Sequence, residues 1–301
     1  MPDILPLTTD AESGLSYLLR AAAGRPAARL LLLHGVGGNE TNLLHLSDTV
    51  DPRIEIAFVR APLAFVRAPL AFGPGQHAWF PVRFGPDGPE IDAARANASR
   101  VRLIALLRGW RAQDDTNGAS AAPPTVIAGF SQGGIMSASV ALTSPADVAG
   151  FAVMCGRILP EIDPLIAPRD ALRTLHALIV HGRFDDKLPV TWAETADAKL
   201  TALGVAHDTR LYDAGHALTD DMAADFGRWV DARAGLTDPA AAARDGRGRR
   251  RVRRHTLLAG SAIAGAAAER SRAAPRFASR QPIVSASTTN GIVAIVHVPP
   301  G

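Results

Sequence analysis

Gly129-Phe130-Ser131-Gln132-Gly133 sets a serine between two glycines, with Pro124-Thr125-Val126-Ile127-Ala128 before it and Gly134-Ile135-Met136 after it. A buried strand that enters a G-x-S-x-G turn and leaves it as a helix is the context a nucleophilic serine requires. In so tight a turn, a side chain at Gly129 or Gly133 would collide with neighbouring backbone. The hydroxyl then projects near a helix N-terminus, where backbone N–H groups can meet a developing oxyanion. A plain Gly/Ser turn could carry the same five residues; the flanking strand and helix patterns argue against it.

Other segments fit the same chemistry. Leu30-Leu31-Leu32-Leu33 runs into His34-Gly35-Val36-Gly37-Gly38, a strand ending in a glycine-rich loop of the kind that supplies a second oxyanion donor. No Gly-Lys-Ser/Thr follows, so it is not a phosphate loop. His34 reads as a structural residue at the strand end. The best-placed carboxylate-bearing turn after the serine is His181-Gly182-Arg183-Phe184-Asp185-Asp186, which follows Leu175–Val180. Gly215-His216 comes last, after Thr209–Tyr212 and before a helix, so that His216 can reach over the sheet towards Ser131. Serine, acid, then histidine is the chain order of the α/β-hydrolases and of neither convergent serine-protease class. A metal site among His181, Asp185, Asp186 and His216 is the rival reading, but their spacing is not that of a ligand set.

These residues need a sheet to hold them. Continuous apolar runs at Leu30–Leu33, Ile54–Val59, Thr125–Ala128, Gly150–Met154, Leu175–Val180 and Thr209–Tyr212 read as strands covered on both faces. Leu15–Leu19 reads as an antiparallel edge strand. Helical patterns occupy Ile91–Trp110, Gly133–Leu142, Trp192–Leu203 and Met222–Ala232. The first carries a stripe of Leu103, Leu106, Leu107 and Trp110, and the last one of Met222, Phe226, Trp229 and Val230. Their alternation predicts a mostly parallel sheet with helices on both faces. Arg111–Pro124 reads as an exposed connection.

The 301 residues carry a formal charge of +3 that conceals two unlike parts. From Gly235 onward 11 arginines face three acidic residues, a net of +8, whereas the preceding part is −5. The basic character therefore belongs to the tail and does not make the protein a specific nucleic-acid binder, although the tail could bind polyanions weakly. The tail is Arg/Ala-rich, its helix-like centre has no polar face, and it is expected to lack a fixed fold. The single cysteine, Cys155, fits a reducing compartment, and a cytoplasmic location is expected. The opening residues do not read as a secretory signal, and no run is long and apolar enough for a membrane span.

On Leu33-His34-Gly35-Val36-Gly37, Trp79-Phe80, Gly129-Phe130-Ser131-Gln132-Gly133-Gly134, His181-Gly182-Arg183-Phe184-Asp185 and Gly215-His216, the chain resembles the phospholipase/carboxylesterase family of α/β-hydrolases. That family includes the acyl-protein thioesterases and small bacterial carboxylesterases. The resemblance covers about residues 14–232. It implies an α/β-hydrolase domain at 1–234 with no large cap domain, followed by the basic extension at 235–301. It implies Ser131 as nucleophile, Asp185 as orienting acid and His216 as base. The backbone N–H groups of Val36 and Gln132 would form the oxyanion hole, and Trp79 and Phe80 an aromatic pair near the acyl or alcohol pocket. Neither a metal nor an organic cofactor is implied. The chain departs from the family in having Asp186 where a proline commonly follows the acid; Pro189 keeps a second family proline. Gly73–Trp79 is similar to the bacterial carboxylesterase branch, which favours small or medium acyl esters or thioesters over lipidated proteins. A monomer or homodimer is expected. A non-catalytic binding protein on the same scaffold, or a transferase or perhydrolase using the same triad, are the alternative readings.

Ala57–Leu63 and Ala64–Leu70 both read AFVRAPL. Proline at the sixth position of each copy prevents both from occupying one strand. Ile54–Val59 is expected to keep the strand, with the second copy lengthening the connection to Gly73.

Overall fold

The computed structural model describes residues 4–64, 73–85, 88–116, 122–236 and 253–255. In chain order the strands and α-helices are β1 (Ile4–Thr9), β2 (Ser16–Arg20), β3 (Ala28–Leu33), β4 (Ile54–Arg60), β5 (Leu63–Ala64), β6 (His77–Ala78), β7 (Val82–Gly85), β8 (Gly88–Ile91), α1 (Ala93–Thr116), β9 (Thr125–Phe130), α2 (Gln132–Thr143), β10 (Gly150–Met154), α3 (Arg169–Leu172), β11 (His176–Gly182), α4 (Thr191–Leu203), β12 (Ala206–Tyr212), α5 (Asp220–Arg233) and β13 (Arg253–His255). The chain divides into two units, Met1–Leu258 and Ala259–Gly301; the second lies outside the described residues.

The main sheet has the order β1-β2-β4-β3-β9-β10-β11-β12-β13. From β4 to β12 the neighbours run parallel, and β2 joins β4 antiparallel. This is the mostly parallel sheet expected from the apolar runs. Alternate residues of each strand enter opposite cores. Leu31, Leu33, Val59, Ile127, Val153 and Ile179 pack with α1, α2 and α4 on one face. Leu30, Leu32, Phe58, Ala128, Met154 and Val180 pack on the other with Phe226, Trp229 and Val230 of α5. Each fully buried large side chain contributes roughly 1.5–3 kcal/mol relative to exposure, so the central strands are anchored from both sides and their ends are held still.

Helix α5 shows how local chemistry sets an element. Thr219 Oγ1 accepts the Met222 N–H at 3.3 Å, and Asp220 and Asp221 occupy the first turn, where the helix dipole favours negative charge. Gly227 lets the helix lie directly on Thr49, since a Cβ there would stand 1.9 Å from the Thr49 carbonyl oxygen.

Several boundaries differ from expectation. The strand predicted at Leu15–Leu19 is β2, but it is not the edge: β1 pairs outside it. Every residue of β1 is exposed, so the strand has no buried face to give it a sequence signature. Helix α1 continues to Thr116 into what read as an exposed connection. Long-range pairing accounts for the extra turn: Arg29 binds Asp114 at 3.0 Å and Glu55 at 2.6 Å, with its guanidinium 5.0 Å from the Trp110 ring centroid. Beyond residue 234, where the hydrolase domain is expected to end, β13 pairs antiparallel with β12. The first AFVRAPL copy does supply β4, while the second falls mostly on residues 65–72, outside the described residues.

Candidate active site

β9 delivers Phe130 to a sharp turn from which α2 starts at Gln132. Ser131 sits in that turn with φ 54° and ψ −116°, a backbone conformation that an L-residue holds only when the surroundings enforce it. Here they do. The Ser131 N–H donates to the Met154 carbonyl at 2.8 Å, and the Ser131 carbonyl accepts the Ile135 N–H at 3.1 Å. The flanking glycines are sterically obligatory. A Cβ at Gly133 would lie 2.0 Å from the Leu33 carbonyl oxygen, and one at Gly129 would lie 2.3 Å from the Gly133 carbonyl carbon. The turn is therefore wedged against the end of β3.

The strand-end loops bring the expected acid and base to it. His216 Nε2 is 3.0 Å from Ser131 Oγ, and His216 Nδ1 is 2.7 Å from Asp185 Oδ2. With Nδ1–H donating to the carboxylate, Nε2 is left as the acceptor for the serine hydroxyl. The Phe130 ring packs on the His216 imidazole with centroids 4.9 Å apart, which limits the ring's freedom to swing away. Asp185 is itself held: its Oδ1 accepts the Lys187 and Leu188 N–H groups at 2.9 and 2.8 Å. Asp186, the other candidate carboxylate in that turn, points outward and pairs with Lys187 Nζ at 3.2 Å.

The loop after β3 runs alongside the serine. A Cβ at Gly35 would stand 3.4 Å from Ser131 Cβ, so the backbone that leads into Val36 passes against Ser131. The Gly37 N–H donates to the His77 carbonyl and the His77 N–H to the Gly38 carbonyl, at 2.9 and 2.8 Å, which ties the loop down. Val36 directs a partly exposed side chain outward. Gln132 opens α2, so its N–H is among the groups that have no partner within the helix. These are the two N–H groups expected to receive an oxyanion.

His34 is occupied elsewhere. Its Nε2 accepts the Ala61 N–H at 3.0 Å while its Nδ1–H donates to the Gly35 carbonyl at 2.7 Å. Burial pushes its pKa down to about 4, so the ring is neutral and structural. Cys155, which follows β10, is no nucleophile either, because burial pushes its thiol up to about 12. Trp79 and Phe80, expected beside the substrate pocket, are 0% and 1% exposed. They meet the site through hydrogen bonds: Trp79 Nε1–H donates to the His34 carbonyl at 2.9 Å, and the Trp79 N–H donates to Gln132 Oε1 at 2.8 Å. Gln132 Nε2–H donates in turn to the Phe80 carbonyl at 2.7 Å. The Gln132 side chain thus clamps the aromatic segment to the elbow, a role for which the sequence carries no signal beyond the residue's place beside the serine. His181 was also missed as a support. Buried near the end of β11, it donates from Nε2 to the Leu188 carbonyl at 2.8 Å and lies 3.3 Å from Asp185 Oδ2. Among the described residues no group of three or more His, Cys, Asp and Glu side chains could hold a metal ion, and no helix is long and apolar enough to cross a membrane.

A family model described as Phospholipase/Carboxylesterase matches residues 19–232. Among solved structures, the carboxylesterase from Mesorhizobium loti is 22% identical, with a TM-score of 0.59 over 75% of this chain and 97% of that one. The Bacillus cereus carboxylesterase is 20% identical, with a TM-score of 0.58 over 73% and 94%. The Zea mays acyl-protein thioesterase 2 is 21% identical, with a TM-score of 0.57 over 72% and 98%. At these identities the structures speak for the fold.

Proposed function

The chain belongs to the phospholipase/carboxylesterase family and is a carboxylic ester hydrolase, and from that premise we propose that it is a serine esterase acting on small to medium acyl esters or thioesters. The observation that carries this reading is the unbroken hydrogen-bond chain from Ser131 Oγ through His216 to Asp185, at 3.0 and 2.7 Å.

His216 Nε2 takes the hydroxyl proton as Ser131 Oγ attacks the substrate carbonyl. Asp185 holds the imidazole in the required tautomer and stabilises the imidazolium that forms. The oxyanion rests against the Val36 and Gln132 N–H groups. His216 then protonates the departing alcohol or thiol, and water activated by the same imidazole hydrolyses the acyl-enzyme. Every proton moves between Ser131, His216, water and the leaving group.

Ser131→Ala is the test. Turnover of p-nitrophenyl acetate and butyrate is expected to fall by about 10⁴-fold or more. Labelling by a fluorophosphonate is expected to vanish, with near-UV circular dichroism preserved. Near wild-type turnover in the variant would end the assignment. Wild-type protein that neither labels nor turns over these esters would favour the non-catalytic scaffold instead.

A further inference from the structure

Beyond β10 the chain turns through Cys155, whose φ is 48°, into Gly156. That glycine packs on the nucleophile's own backbone, since a Cβ there would stand 3.0 Å from the Ser131 carbonyl oxygen. The next residue is Arg157. Its guanidinium carbon lies 4.2 Å from the centroid of the Trp192 ring. Trp192 belongs to the first turn of α4, where its N–H donates to the Pro189 carbonyl at 2.9 Å. The turn of Asp185 leads directly into that helix. The cation is thus carried by two segments, one packed against the nucleophile and the other continuing from the acid.

Arg157 lies over Trp192 and has no ion-pair partner among the described residues. Its Nε is buried without a hydrogen-bond partner, and Glu161 acts on it only through space. By contrast, Arg29 is matched by Glu55 and Asp114, and Arg60 by Glu40. Burial lowers the Arg157 pKa, as expected for a cation that loses water without gaining an anion. The planar guanidinium fork, seated over the Trp192 ring, matches a carboxylate in a bidentate pair. The residue is only partly buried, so a ligand can reach it.

We propose that Arg157, mounted on Trp192, is a carboxylate-recognition site beside the ester-cleaving centre, so that the preferred substrates are half-esters or half-thioesters of dicarboxylic acids. This rests on the Ser131 reading and deepens it. The bond cleaved is the ester or thioester; water supplies the hydroxyl, the alcohol or thiol leaves with a proton, and the distal carboxylate binds without reacting.

The full-length protein is assayed with monomethyl adipate and dimethyl adipate, which share a skeleton and differ in the distal charge. Wild type is expected to favour the half-ester in kcat/KM by about tenfold or more, the worth of a charge-assisted hydrogen-bonded pair. The half-ester is likewise expected to protect Ser131 better from a fluorophosphonate. Arg157→Gln collapses both preferences, and Arg157→Lys restores part of them. An unchanged ratio in Arg157→Gln overturns the site, as does an equal loss for both esters, which would mark a purely structural role. Failure of the wild type to label or to hydrolyse either ester is instead a failure of the Ser131 reading. Calorimetric titration with adipate then decides the carboxylate site: binding to wild type that Arg157→Gln abolishes supports it, and equal or absent binding removes it.

Discussion

Asp185 meets His216 through one carboxylate oxygen, at 2.7 Å, while its other oxygen is taken by the Lys187 and Leu188 N–H groups. Three hydrogen bonds therefore fix the carboxylate, and the neighbouring Asp186 shares none of them. Asp185→Asn exchanges an acceptor-only group for an amide that favours the wrong imidazole tautomer, and kcat is expected to fall by about 10⁴-fold. Asp186→Asn loses an exposed pair with Lys187, and such pairs contribute little. Steady-state kinetics of both variants at pH 7 check the assignment, and the reverse pattern would move the acid role to Asp186.

Gln132→Ala removes the bridge between the Trp79 N–H and the Phe80 carbonyl, both in the buried interior. Leaving two buried backbone groups unpaired costs about 1–3 kcal/mol each. A lower urea midpoint is expected, together with reduced kcat because the elbow loses its tie to the aromatic segment. Unaltered stability would mean that water replaces the amide.

His34 makes stability depend on pH. Its folded-state pKa of about 4 lies below the ordinary histidine value, so between roughly pH 6.5 and 4 the unfolded chain binds a proton that the native ring refuses. Stability is therefore complete above that window and declines as pH falls through it, by about 3 kcal/mol for the full shift. Glu40, Arg60 and His77 face the ring and modulate the value. Urea denaturation at pH 7 and 4.5 measures the loss, which should shrink in His34→Gln. An equal loss in the variant would assign it to other groups.

A chain ending at Leu236 tests the tail. It lacks β13 and so exposes the edge of β12, whose unpaired backbone groups are a template for self-association. Its kcat/KM is expected to stay within a few-fold of wild type, because Ser131, Asp185 and His216 lie on the opposite side of the cut in sequence. Its retention on a polyanion column should fall, and light scattering should reveal the exposed edge. Loss of activity would show that the tail completes the folded domain.

Much of this site could be read from residue types. Gly129 is required by the turn's own geometry, because a Cβ there would stand 2.3 Å from the Gly133 carbonyl carbon, whereas Gly133 is required by the packing of the turn on Leu33 of β3. The apolar runs at Leu30–Leu33 and Gly150–Met154 read as strands buried on both faces, because they are short and no polar alternation offers a wet side. The order of serine, carboxylate turn and histidine followed from the same reading.

What tertiary structure alone decided concerns groups whose partners are distant in the chain. Asp185 and Asp186 are adjacent and chemically alike; the family resemblance favours Asp185, but the physical reason is the path of the turn, which sends it to His216 and Asp186 to solvent. The end of α1 is set by Arg29 reaching Asp114, which no helical periodicity contains. The Gln132 clamp and the seating of Arg157 on Trp192 likewise arise where segments that follow different central strands meet at the strands' C-terminal ends. Local chemistry determined which residues could react, because sterics and burial act over a few residues. Long-range packing decided what each of them touches, because hydrogen-bond partners are chosen by the fold as a whole.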